Sequence, residues 1–163
     1  MMDEILARDT EIPILQAEHG LPLSADHIYL SGARQDMIVS GGKLLLTEHE
    51  ASNGIHLPVD IFFSSLASEY GKRSVGVVLS GNGSAGTRGV QQINAAGGLV
   101  IVQEPGTTRF SGMPEAAGAT GVVNHELPPA QIADALTAHL QGRDYRPSSE
   151  ALASPVRVEE HAI

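Results

Sequence analysis

A chain of 163 residues, 42% of them hydrophobic and 18% charged, has the length and balance of one globular domain. Its formal net charge of −9, from 19 acidic against 10 basic residues, is repelled by a phosphate backbone, and no Lys/Arg run overrides that, so nucleic-acid binding is excluded. With no cysteine, disulfides, thiol catalysis and Cys-based zinc sites are excluded too.

Aromatic residues make up 4% and Trp is absent, so the core must be built from Val, Leu, Ile and Ala. Residues 1–8 allow one or two helical turns. Ile12–Ala17 reads as a short strand, followed by a turn over Glu18–Pro22 and a second strand at His27–Leu30. The apolar runs Met37–Val39 and Leu44–Leu46 flank Ser40-Gly41-Gly42, and a Gly-Gly turn between such runs predicts a β-hairpin.

From Pro58 the pattern changes. Val59, Phe62, Phe63, Leu66 and Ala67 recur at helical spacing, which predicts an amphipathic helix over Pro58–Tyr70 with Pro in its first turn. Ser74–Leu79 is a continuous apolar run, as in a parallel strand buried on both faces. A helix over about Thr87–Ala96 is stopped by Gly97-Gly98, and Leu99–Val102 is another buried strand. Pro114–Ala117 opens a short helix, Gly121–Val123 reads as a short strand, and Pro129–Leu140 as a last helix. The alternation predicts an α/β fold: three layers, a mostly parallel sheet flanked by helices, with the hairpin appended. Residues 141–163 are polar and without period, so the expected division is a domain over 1–140 and a tail or linker over 141–163.

The run Leu79-Ser80-Gly81-Asn82-Gly83-Ser84-Ala85-Gly86 follows a predicted parallel strand and opens a helix. A loop so placed lies at the carboxyl edge of the sheet, where ligands bind, and its glycines turn N–H groups outward beside the positive end of the helix dipole. Gly81–Gly86 matches a dinucleotide-binding G-x-G-x-x-G string, with Glu104 about 20 residues on as a ribose-binding acid. That fingerprint belongs to the first strand of its domain, however, and several strands precede it here. A Gly-rich turn that serves only close packing is the plain alternative.

The same loop is similar to the L-[ST]-G-x-G-x-D-G loop of chemotaxis protein-glutamate methylesterases. The likeness continues through Ala95–Pro105, Phe110–Ala117, Gly121–Val123 and Leu127–Pro129. Upstream, His56-Leu57-Pro58-Val59-Asp60 and the helix it opens resemble the family's R-x-P-x-D block. These blocks run in the family's order from about Ile12 to Leu140. The chain is thereby identified as a member of that family, whose catalytic domain hydrolyses glutamate methyl esters, and deamidates glutamines, on chemoreceptors through a Ser-His-Asp arrangement.

The resemblance also implies what is altered. The family's G-A-S-x-G-G serine turn and its Q-H-like histidine motif do not occur in this sequence, so the expectation is a domain lacking the first β-α-β portion of the family fold. Ala85 stands where the family has its Asp. No catalytic residue is therefore expected to be intact, although the Asn82 backbone N–H matches a family oxyanion-hole donor and survives side-chain change. Gly81, Gly83, Ser84 and Gly86 complete the candidate loop. Ser80, Ser84 and Thr87 would each need a base within reach to act as nucleophiles.

The seven histidines, His19, His27, His49, His56, His125, His139 and His161, form no H-E-x-x-H or comparable spacing, so no metal site is predicted. His56 reads as a loop or surface residue and Asp60 as a dipole-stabilising first-turn acid. Arg109, Met113 and Glu115 lie in or beside the G-M-P block, near the family's active-site edge, with Met113 expected to pack. No cofactor is implied.

Implied partners are chemoreceptors or other chemotaxis signalling proteins, and self-association through an exposed sheet edge. No receiver domain is visible, so control through a phosphorelay would have to come from elsewhere. Lacking a basic segment before an apolar stretch, and any apolar run of bilayer length, the chain is expected to be cytoplasmic and off the membrane. The functional expectation is a methylesterase domain inactive in this chain and kept for signalling or binding. The alternatives are part of an active larger methylesterase, or a nucleotide-binding protein using Gly81–Gly86.

Overall fold

The computed structural model describes residues 2–48 and 56–147; His49 and His161, and the tail beyond residue 147, lie outside them. A short helix, α1 (Met2–Leu6), leads into β1 (Ile14–Gln16), β2 (Leu21–Pro22) and β3 (Ile28–Leu30). β1 and β3 pair in parallel, with Ile14 opposite Ile28. β4 (Gln35–Ser40) and β5 (Lys43–Glu48) form the predicted hairpin, in the register Val39 to Leu44. Its turn takes Gly41 at φ 59 and Gly42 at φ 73, the pair of left-handed residues that a tight two-residue connection demands.

The segment expected as a turn at Glu18–Pro22 is a correction. Only His19-Gly20 turns; Leu21 and Pro22 pair antiparallel with Leu44 and Lys43, adding a third strand to the hairpin. The backbone bonds from Gly20 to Leu44 and from Leu23 to Gly42 frame that short ladder. Two residues carry no period, and the pairing comes wholly from the partner strand.

The second half builds the layered sheet. α2 (Pro58–Tyr70) leads through a 3₁₀ turn to β6 (Val75–Val78), then α3 (Thr87–Ala95), β7 (Leu99–Gln103), α4 (Gly112–Gly118), β8 (His125–Leu127) and α5 (Pro129–Leu140). The order β6-β7-β8 is parallel throughout. Side-chain alternation splits the core: Val78, Val100 and Val102 pack with Val90 and Ile93 of α3, while Val77, Leu99 and Ile101 pack with Ile132, Ala135 and Leu136 of α5. The result is the expected three-layer α/β arrangement. No helix among the described residues is long and apolar enough to cross a membrane.

The strand expected at Gly121–Val123 lies instead at His125–Leu127, and the reason is visible. Gly121, at φ 76, turns the chain out of α4, and Val122 and Val123 pack against the core without laddering. Asn124 then exchanges two hydrogen bonds with Val100, one from its backbone and one through its side-chain oxygen, and sets the register for β8. The pairing strand is polar at His125 and Glu126, so an apolar pattern does not find it. Past α5, Tyr145 stands edge-on to His125 at 5.8 Å, and its phenol is raised above the ordinary tyrosine range by burial and then by the charge of Asp134.

α2 ties the two halves together. Phe62, Leu66 and Tyr70 face the hairpin core of Ala17, Val39 and Leu44, while Phe63 and Ala67 face α3 and the parallel sheet. Ser65 accepts the Val39 N–H and Glu69 accepts the Gly42 N–H, so α2 also fixes the hairpin's backbone. Against α3 the approach is close. A Cβ at Gly89 would lie 2.6 Å from the Phe63 Cβ.

Gly89→Ala is therefore expected to lower stability by about 1–3 kcal/mol through overpacking. Gly106→Ala, with nothing within 4 Å of the added carbon, should stay within about 0.5 kcal/mol of the parent. Urea denaturation of both variants, read at unchanged slope, checks the contrast.

Candidate functional site

The loop after β6 runs from Leu79 to Gly86 at the carboxyl edge of the parallel sheet, where the sequence placed it. Two sets of contacts hold it. On one side the Gly81 N–H donates to the Phe110 carbonyl at 2.7 Å, and the Gly81 carbonyl accepts from Met113 N–H at 2.9 Å. A side chain at Gly81 would run into the Met113 sulfur, and a Cβ on Gly112 would lie 3.0 Å from the Gly83 nitrogen. These glycines are required by close backbone approach. Met113 packs, as expected from its place in the G-M-P block. Nearby, Gln103 is buried at the end of β7; its Oε1 accepts the Ser80 N–H and its Nε2 donates to Thr107.

On the other side the support is a single carboxylate. Asp60, only 7% exposed, accepts the Gly86 N–H on Oδ2 at 3.1 Å and the Gly89 N–H on Oδ1 at 2.7 Å. α3 begins after Gly86, at φ 90, and has no cap from its own side chains. Asp60 belongs to the first turn of α2 and also serves as the cap of α3, across 26 residues of sequence. A charge-assisted bond of this kind contributes about 1.5–3 kcal/mol. The sequence reading placed Asp60 correctly at a helix start and missed its second helix.

This carboxylate bears on what the loop can bind. Glu104 does stand at the end of β7, beside β6, where the dinucleotide fingerprint would want it. Yet the α3 N-terminus that would face a pyrophosphate already holds a buried negative charge, which opposes a second anion.

The middle of the loop is the part most open to solvent, although the Gly83 backbone lies against Gly112. Asn82, Gly83 and Ser84 are exposed and Ala85 is half-buried. Among hydrogen bonds between described residues, none uses the N–H of Asn82, Gly83, Ser84 or Ala85. Leu79 and Phe110, each at least half exposed, flank this row. The Thr87 hydroxyl is engaged with the Ser84 carbonyl at 2.7 Å.

The described histidines are held elsewhere. His19 lies against the Leu46 backbone, His27 against the Ala25 carbonyl, and His125 against Tyr145. His56 Nε2 is 2.8 Å from Asp36 Oδ1, and His139 sits in the last turn of α5. None of them is bonded to Ser80, Ser84 or Thr87. No group of three or more His, Asp or Glu that could hold a metal occurs among the described residues.

Comparison with known proteins adds a family. The family model described as CheB methylesterase matches residues 1–136. A 104.1 kDa uncharacterized protein of Rhodobacter capsulatus is 43% identical over 126 residues, 77% of this chain and 13% of that protein. The protein-glutamate methylesterase/protein-glutamine glutaminase 2 of Anaeromyxobacter dehalogenans is 31% identical over 131 residues, 80% of this chain and 38% of its own length. The protein-glutamate methylesterase FrzG of Myxococcus xanthus is 30% identical over 132 residues, covering 80% and 40%. The crystal structure of the Thermotoga maritima CheB methylesterase catalytic domain superposes with a TM-score of 0.64 at 25% identity, over 74% of this chain and 66% of that one. The chain thus spans well under half the length of the curated relatives it matches.

Asp60→Ala is expected to cost about 2–4 kcal/mol, since it strands two buried N–H groups. Amide exchange at Gly86 and Gly89 should accelerate more than at Val90, whose N–H keeps its bond to the Gly86 carbonyl. Unchanged protection at the two glycines would remove the assigned cap.

Proposed function

The chain belongs to the CheB methylesterase family, and on that premise we propose that its methylesterase domain, residues 1–140, does not itself hydrolyse esters and acts by contact, as a signalling or binding module. One observation carries this reading: by the resemblance of Leu79–Gly86 to the family's L-[ST]-G-x-G-x-D-G loop, Ala85 stands where the family has its Asp. A methyl group neither accepts an imidazole N–H nor stabilises an imidazolium, and losing the orienting acid alone costs about 10⁴-fold in a serine protease. The Asn82 backbone donor has no developing oxyanion to hold without a nucleophile and its base. The comparisons favour neither the nucleotide-binding reading nor that of a larger active esterase, and no cofactor enters the proposal.

The surface that does the contacting, on this reading, is the carboxyl edge: the exposed residues Asn82, Gly83 and Ser84 beside exposed Leu79 and Phe110. Its partners are chemoreceptors or other chemotaxis signalling proteins, which places the chain in the cytoplasm. Residues 141–163 serve as tail or linker.

A second copy is a further partner. Among the described residues β6 is an edge strand. Because Leu99 N–H bonds to the Ser74 carbonyl, alternate residues Val75, Val77 and Leu79 turn their peptide groups to the open side. An apolar open edge of this kind invites strand pairing.

Incubated with a methylated chemoreceptor, the protein is expected to release no methanol above the buffer rate, and Ala85→Asp alone should not change that. Methanol release by the unaltered chain sinks the proposal. For the edge, light scattering should show association that grows with concentration and is weakened by Leu79→Lys, a charge at a half-exposed edge position. A monomer at every concentration would dismiss that part.

A further inference from the structure

A second concave site adjoins the loop's support: Val59, in its wall, lies against Gly86, where a Cβ would meet Val59 Cγ1 at 3.4 Å. The turn between β3 and β4 and the start of α2 wall a cavity of about 520 Å³, inside the size range of small-molecule sites. Its half-buried floor is apolar, formed by Met37, Val59 and Phe62. Its exposed rim is polar, with Arg34, Gln35 and His56.

Two features give the rim a sign. Among the described residues that line the cavity none is acidic, although the chain as a whole carries −9. The neighbouring carboxylate, Asp36, has its buried Oδ1 2.8 Å from His56 Nε2, a proximity without hydrogen-bond geometry. Arg34 is the one Arg, Lys, Asp or Glu among the described lining residues.

Its backbone makes the choice of Arg more telling. Arg34 sits at φ 65, a left-handed conformation that Gly, Asn or Asp would take at less cost. A long cation kept in that conformation fits a role for the side chain, since strained residues gather where a ligand is clamped.

We propose that this cavity binds a small amphipathic carboxylate, its apolar chain seated on Met37, Val59 and Phe62 and its carboxylate on the Arg34 guanidinium. The planar fork of Arg pairs with both carboxylate oxygens at once, while the floor takes the chain out of water. A neutral head group of the same length leaves the guanidinium unanswered, and a cationic one is repelled.

The test is calorimetric titration of the whole protein with decanoate below its micelle concentration, with decanol and decylamine as controls. One saturable site is expected for decanoate, at least tenfold weaker uptake of decanol, and none of decylamine. Arg34→Asn keeps a residue that accepts φ 65 while removing the charge, and should lose decanoate at least tenfold with its thermal unfolding unchanged. In parallel, amide resonances of Met37 and Val59 should shift with decanoate. Non-saturable uptake, decanol bound as tightly as decanoate, an unaffected Arg34→Asn, or shifts confined to other residues would each overturn the site.

Discussion

Two N–H groups at the start of one helix meet one carboxylate from the start of another, and most of the second half of the molecule depends on that meeting. Asp60 is buried, so its charge is tolerable only because Gly86 and Gly89 answer it. The bonds set how α2 approaches α3, and Gly89 lets Phe63 close the remaining distance. The other face of α2 then carries the hairpin. One side chain therefore links the β-hairpin, the central helix and the carboxyl edge of the sheet.

Seen from the loop, the same arrangement separates shape from chemistry. Below, the loop is pinned by Asp60 at Gly86 and by backbone bonds at Gly81. Above, Asn82, Gly83 and Ser84 face solvent. The rigid parts are glycines whose missing side chains permit close approach, and the exposed parts are free to meet a partner. Gln103 closes the floor by spending both ends of its amide on Ser80 and Thr107.

Much of this was legible in the residues. The runs of β6 and β7, the Pro that opens α2 and the Gly-Gly turn of the hairpin each carry a local signal, and each element stands where it was read. The family blocks lay in order along the chain, and the family model and solved fold agree with them. β2 and β8 escaped because their pairing is dictated by the neighbouring strand: two residues against Leu44, and a polar strand registered by Asn124. The capping role of Asp60 escaped for a related reason. Its partners lie 26 and 29 residues away, and no local pattern encodes a hydrogen bond across that distance. The loop glycines of the candidate site were readable; the supports beneath them, Asp60 and Gln103, were not.

Ala85 takes part in none of the hydrogen bonds that shape the loop. Selection for a folded protein thus has little purchase on that position; only selection for turnover would hold an acid there, and a buried or crowded acid is itself a cost to stability. Once turnover is no longer required, residue 85 can drift while residue 60 cannot. In descendants of such a domain, the cap should outlast the chemistry.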